Sequence, residues 1–173
     1  MAERAAAVTM RGKPITLVGN EVKAGDKAPD FEVIDTGLSP ARLSAYAGKV
    51  VVISSVPSLD TPVCDLETRR FNQEAAELGT EVAMLVVSMD LPFAQKRWCG
   101  AAGASHVVTL SDHRDASFGM AYGVLIKELR LLARAVWVVD RGGVVRYSEL
   151  VKEIANEPDY DAALENVRKA LGR

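Results

Sequence analysis

The 173 residues make about one domain's worth of chain, and 49% apolar with 25% charged residues excludes both a disordered polymer and a membrane-embedded protein. Twenty-one basic against 23 acidic side chains leave a net charge of -2, too little to grip a nucleic-acid backbone or an anionic bilayer, so partners are expected to be small molecules or proteins. Two cysteines, Cys64 and Cys99, are too few for a secreted disulfide framework. Ahead of Arg11 and Lys13 the longest apolar stretch, Ala5 to Val8, is shorter than the roughly 7 residues of a signal core, and a cytoplasmic location is the expectation. With no repeat, linker or ~18-residue apolar window, residues 1–173 read as a single domain that does not insert into a membrane.

Val8 to Met10 and Ile15 to Val18 flank the turn signal Arg11-Gly12-Lys13-Pro14, which predicts an N-terminal β-hairpin within an extension covering residues 1–30. Phe31 to Ile34 is a further strand candidate, and the β-branched run Val50 to Ile53 suits a central strand buried on both faces. Beyond the turn formers of 54–60, a helix is predicted from Pro62 to about Leu78, with Leu66, Phe71, Ala75 and Leu78 among its amphipathic positions and Thr61 as its cap. Glu81 to Ser88 alternates as a strand, with Val82, Met84 and Val86 on one face and Ala83, Leu85 and Val87 on the other. Pro92 to Ala101 follows as a helix, His106 to Leu110 as a strand and Ala116 to Tyr122 as a short helix. Ala133 to Asp140 and Val144 to Ser148 flank Arg141-Gly142-Gly143 as a hairpin, and a helix from about Pro158 to Leu171 closes the chain. This order predicts an α/β protein of thioredoxin-like fold, an α/β/α sandwich with a mixed central sheet and helices on both sides.

Cys64 falls in the first turn of the helix that leaves the central strand, where unpaired backbone N–H groups favour an anion over a neutral thiol. A free cysteine is only ~3% thiolate at pH 7, so complete ionisation multiplies the reactive fraction by at most ~30. Catalysis therefore requires further groups that stabilise charge on a leaving atom. Asp60 and Asp65 flank the thiol and oppose its ionisation unless they point away. Arg134 opens the strand face of Val136 and Val138, which carries a cation under the sheet's cover, either as the partner of a carboxylate or beside Cys64. Neither His106, at a strand opening, nor His113, in a loop, has metal-ligand spacing with the thiols.

Pro57-Ser58-Leu59-Asp60-Thr61-Pro62-Val63-Cys64 matches the Pro-x-x-x-Thr-x-x-Cys signature of peroxiredoxins, after a strand and opening a helix. Phe71-Asn72-Gln73, Asp90-Leu91-Pro92-Phe93-Ala94-Gln95, Arg97-Trp98-Cys99-Gly100, Ala133-Arg134-Ala135-Val136 and Glu157-Pro158-Asp159-Tyr160 resemble landmarks of one subgroup, the bacterial thiol peroxidases. That resemblance, from about Gly12 to Leu171, implies that Cys64 is a peroxidatic cysteine oxidised to a sulfenic acid by hydrogen peroxide or an organic hydroperoxide. It implies that Thr61 and Arg134 hold thiolate and peroxide, that Pro57 shields the pocket, and that Cys99 resolves the sulfenic acid as a Cys64–Cys99 disulfide reduced by thioredoxin. A homodimer without metal, haem or flavin is implied as well.

The two cysteines lie on different predicted helices, so a disulfide needing Cα atoms within about 4.4 to 6.8 Å calls for local unwinding. Gly100 and Gly103 make the Cys99 helix the easier one to melt. Phe93 and Trp98 read equally as packing or as the wall of an apolar pocket near Cys99. The Leu-rich stretch Val124 to Leu132 departs from the subgroup, and its leucines are candidates for a subunit patch. Among other functions, a Cys-x-x-Cys disulfide oxidoreductase is opposed by Thr61, where the first Cys of that motif would stand. A redox sensor or chaperone built on the same thiol pair is the alternative that turnover would exclude.

Overall fold

The computed structural model describes the whole chain, Met1 to Arg173. Its strands are β1 (Glu3–Met10), β2 (Lys13–Val18), β3 (Glu32–Ile34), β4 (Pro40–Arg42), β5 (Val50–Ser55), β6 (Val82–Ser88), β7 (Val108–Ser111), β8 (Leu125–Ile126), β9 (Ala135–Val139) and β10 (Val145–Leu150). A 3-10 turn (Leu43–Tyr46) precedes β5; α1 (Pro62–Leu78), α2 (Pro92–Ala102), α3 (Ser117–Ala121) and α4 (Tyr160–Ala170) complete the order. No helix is long and apolar enough to cross a membrane.

Seven strands form one mixed sheet in the order β10-β9-β5-β6-β7-β3-β4, with β5, β6 and β7 parallel and β9 antiparallel to β5. Every residue of β5, β6 and β9 is buried, because strand alternation sends their apolar side chains into two separate cores. Val50, Val52, Met84, Val86, Val136 and Val138 pack beneath α1, α2 and α4, with Phe71, Trp98 and Leu164 coming from those helices. Val51, Ile53, Leu85, Val87, Trp137 and Val139 face the other way, towards Phe118 and Tyr122 of the α3 region and Val8, Ile15 and Leu17 of the hairpin. Helices thus cover both faces unequally, and a three-stranded sheet, β1-β2-β8, does much of the work on the second.

The predicted N-terminal hairpin is present, and its third strand comes from the Leu-rich stretch. Leu125, Ile126 and Leu132 are buried there, so this stretch is core lining rather than a surface patch; Leu129 alone among its leucines is largely exposed. Gly19 and Gly123 make the seam possible, since a Cβ on Gly19 would overlap the Met120 carbonyl and one on Gly123 the Asn20 carbonyl, both at positive φ.

Several boundaries moved for local reasons. The last helix begins at Tyr160, not Pro158, because the Asp159 carboxylate accepts the Ala162 N–H and caps it. His106 lies outside β7, since its N–H and that of Val107 both donate to Asn72 Oδ1 instead of to a strand. Leu66, expected on the apolar face of α1, is exposed, whereas Glu67 and Thr68 are buried beside Cys64 and Phe71. The β4 edge strand, Pro40-Ala41-Arg42, carried no strand signal and exists by pairing with β3.

Candidate active site

The chain leaves β5 and turns through Val56 to Thr61 before α1. Asp90, at the end of β6, holds that turn: its carboxylate accepts Ser58 Oγ at 2.7 Å, the Leu59 N–H at 2.9 Å and Ser88 Oγ at 2.7 Å. Thr61 is the N-cap residue by backbone geometry, yet its hydroxyl does not cap; it donates to the Ser58 carbonyl at 2.8 Å. The first bond of α1 runs from the Asp65 N–H to the Thr61 carbonyl, which leaves the N–H groups of Val63 and Cys64 with no acceptor in the helix.

Cys64 is buried as a free thiol in this first turn. Arg134, immediately before β9 and only 2% exposed, donates from Nη2 to Cys64 Sγ at 3.3 Å, from Nη1 to Glu67 Oε2 at 2.5 Å and from Nε to the Ile154 carbonyl at 2.8 Å. Both sequence readings of Arg134 therefore hold together, since one guanidinium meets a carboxylate and the thiol. Glu67 Oε1 in turn accepts Ser54 Oγ at 2.9 Å. Burial pushes the Glu67 carboxyl up to about 7, although Arg134 and Ser54 pull it down. Burial also opposes the charge on Arg134, but Glu67 and Cys64 outweigh it by charge and hydrogen bonding and hold the guanidinium above its ordinary range.

A cavity of about 440 Å³ opens over this cluster, with Pro57, Thr61, Pro62, Val63 and Arg134 in its walls. The tip of the hairpin, including Met10 and Arg11, supplies the opposite wall. Neither neighbouring aspartate is turned to the thiol: Asp60 is exposed, while Asp65 accepts Trp98 Nε1–H on Oδ1 at 2.8 Å and Arg69 Nε–H on Oδ2 at 2.9 Å. Arg134 and the two N–H groups without a helical acceptor are donors placed to stabilise negative charge that develops beside the sulfur.

Cys99 stands apart. It is a half-buried free thiol on α2, its Sγ 3.4 Å from Thr109 Oγ1 on β7. Trp98 is buried and hydrogen-bonded, whereas Phe93 is 67% exposed, so the two do not share a pocket wall. Sequence reasoning did not single out Glu67, Ser54 or Asp90 as contributors to the site. Glu67 had one usable signal, a spacing of three from Cys64 that puts both on one helix face; Asp90 meets the turn only through the parallel pairing of β5 with β6.

Residues 23–164 match the Redoxin family model. A thiol peroxidase of Halalkalibacterium halodurans is 59% identical over 167 residues, covering 96% of this chain and 99% of its own. One of Bacillus subtilis is 58% identical over 166 residues, covering 96% and 98% respectively. Among solved structures, a peroxiredoxin-like protein from Aquifex aeolicus superposes with a TM-score of 0.89 at 43% identity, over 96% of this chain and 99% of that one. The chain therefore belongs to the Redoxin family, among the thiol peroxidases.

Proposed function

We propose that the chain reduces hydrogen peroxide and organic hydroperoxides with Cys64 as the peroxidatic cysteine. The Cys64 thiolate attacks the terminal peroxide oxygen, the S–O bond forms as O–O breaks, and the departing oxygen takes a proton to leave as water or an alcohol. Arg134 faces both the sulfur and the cavity, and so offsets charge on the oxygens while O–O breaks. Thr61, whose hydroxyl hydrogen is committed to Ser58, keeps oxygen lone pairs free to accept the hydroperoxide O–H. Pro57, buried beneath the turn, screens the thiol from water. Cys99 then attacks the sulfenic sulfur; the S–S bond forms, S–O breaks and water leaves. A dithiol reductant returns both thiols by exchange.

The observation that carries this reading is the 3.3 Å bond from Arg134 Nη2 to a buried thiol at a helix start. Resemblance to the bacterial thiol peroxidases supports thioredoxin as the dithiol, a cytoplasmic location and a homodimer. The test mixes the protein with a hydroperoxide, thioredoxin, thioredoxin reductase and NADPH. Sustained NADPH loss that vanishes in Cys64→Ser is expected, with Cys99→Ser retaining the first oxidation but not turnover; a single stoichiometric burst in the wild type would refute the enzyme and favour a sensor.

A further inference from the structure

One side of α1 carries a row of polar side chains at positions 65, 69 and 72, and each reaches the segment that bears Cys99. Asp65 Oδ1 accepts the Trp98 indole N–H at 2.8 Å, Arg69 Nη1 donates to the Ala102 carbonyl at 3.5 Å, and Asn72 Oδ1 accepts the His106 and Val107 N–H groups at 2.8 and 3.2 Å. The Arg69 guanidinium also lies over the Trp98 ring, 5.7 Å from its centroid, and pairs with Asp65. Spacings of four and three put this row on one helix face. Asp65 directly follows Cys64 and Trp98 directly precedes Cys99, so the strongest bond of the row, a charge-assisted one, joins the two cysteine-bearing turns.

In this arrangement the sulfurs are directed to different parts of the sheet. Cys64 meets Arg134 at the start of β9, and Cys99 meets Thr109 on β7, with β5 and β6 between those strands. Three strand spacings, roughly 14 Å in all, separate β9 from β7, which is beyond the reach of a disulfide. Whichever helix yields when the two thiols meet, the Asp65–Trp98 bond lies across the break.

We propose that Asp65 and Trp98 are positioning residues that latch α2 in its reduced place and set the rate at which Cys99 closes on oxidised Cys64. This rests on the Cys64 and Cys99 chemistry proposed above. The latch acts only on the second step: Cys99 sulfur attacks Cys64–SOH, S–S forms, S–O breaks and water leaves, with no oxidant beyond the peroxide already spent. A tight latch lengthens the life of the sulfenic acid, and a second peroxide molecule then oxidises it to the sulfinic acid. The Asp65–Trp98 pair thereby sets the peroxide concentration at which the protein is inactivated.

Trp98→Phe removes the indole N–H and keeps a ring in the core. The reduced protein is mixed with one equivalent of hydrogen peroxide, quenched rapidly with acid, and the thiol, sulfenic and disulfide forms are resolved by mass spectrometry; excess peroxide then gives the sulfinic fraction. The first oxidation is expected to change by less than about twofold, while disulfide formation speeds up about tenfold, the weight of one charge-assisted hydrogen bond, and the sulfinic fraction falls in step. Asp65→Asn, which leaves the core untouched and keeps a weaker neutral acceptor, is expected to speed closure about threefold and carries the comparison if the tryptophan variant does not fold. Equal or slower closure in the variants, with a wild-type disulfide present, overturns the latch alone. A wild type that forms no Cys64–Cys99 disulfide overturns the underlying reading and the latch with it.

Discussion

Replacing Glu67 by Gln should make the protein more stable above neutral pH, although it removes half of a buried ion pair. Glu67 is fully buried between Arg134 and Ser54, and burial pushes its carboxyl from an ordinary 4.5 up to about 7. A carboxyl raised by folding holds its proton in the native chain when the unfolded chain has already released it. Its contribution is therefore fully present below pH 4.5 and is lost as pH rises through about 7. Over that interval, at about 1.4 kcal/mol per pH unit, the loss amounts to at most about 3 kcal/mol. Glutamine imitates the protonated acid: its carbonyl accepts from Arg134 and its amide donates to Ser54 Oγ. At pH 5 the two proteins should agree within about 1 kcal/mol, and by pH 8 Glu67→Gln should lead by up to about 3 kcal/mol, because only the wild type must then ionise or retain a proton at this buried site. Urea unfolding of both reduced proteins from pH 5 to 8 measures the difference, in which other titrating groups common to both, such as Asp112, cancel. A difference that stays constant with pH, or that moves in favour of the wild type, would show that Arg134 keeps Glu67 ionised throughout and would refute the argument.

Arg134→Lys keeps the charge but not the fork that serves Cys64, Glu67 and Ile154 at once. Its first oxidation step should slow by about 100-fold in stopped-flow measurements, and a rate within threefold of wild type would remove Arg134 from the chemistry. Asp90→Ala strips the turn before α1 of an acceptor for Ser58, Leu59 and Ser88. The variant should lose about 2 kcal/mol, read as a melting temperature lower by about 5 °C. Its oxidation rate should fall about tenfold as Thr61 and Pro57 lose their fixed place, and an unchanged rate would mean that the turn is held by other bonds.

Much of this architecture was legible along the chain because short-range rules decide it. Alternation in Val82 to Val87 correctly sorted side chains between two cores, and the Pro62 start and the Arg11-Gly12 turn each follow from local backbone preferences. The Pro57 to Cys64 string, too, lies within one turn and one helix start, so its candidate residues were visible together. Glu67 was not, because periodicity is a rule about apolar residues and assigns a carboxylate to water. Its partners come from elsewhere in the chain: Arg134, 67 positions away just ahead of β9, and Ser54 on β5.

Sequence by itself determined the order of the elements other than the short strands β4 and β8, the mixed sheet, the thiol at a helix start and the cation bound for the covered face of the sheet. Tertiary structure alone decided that one guanidinium joins Cys64 to Glu67, that Asp90 anchors the turn, that the Leu-rich stretch becomes a third strand beside the hairpin, and that Asp65 turns from the thiol to Trp98. The reason is one of range. Backbone preference and side-chain period act over a few residues, whereas a buried charge or polar atom is settled by whichever partner the packing of distant elements brings within about 3 Å of it.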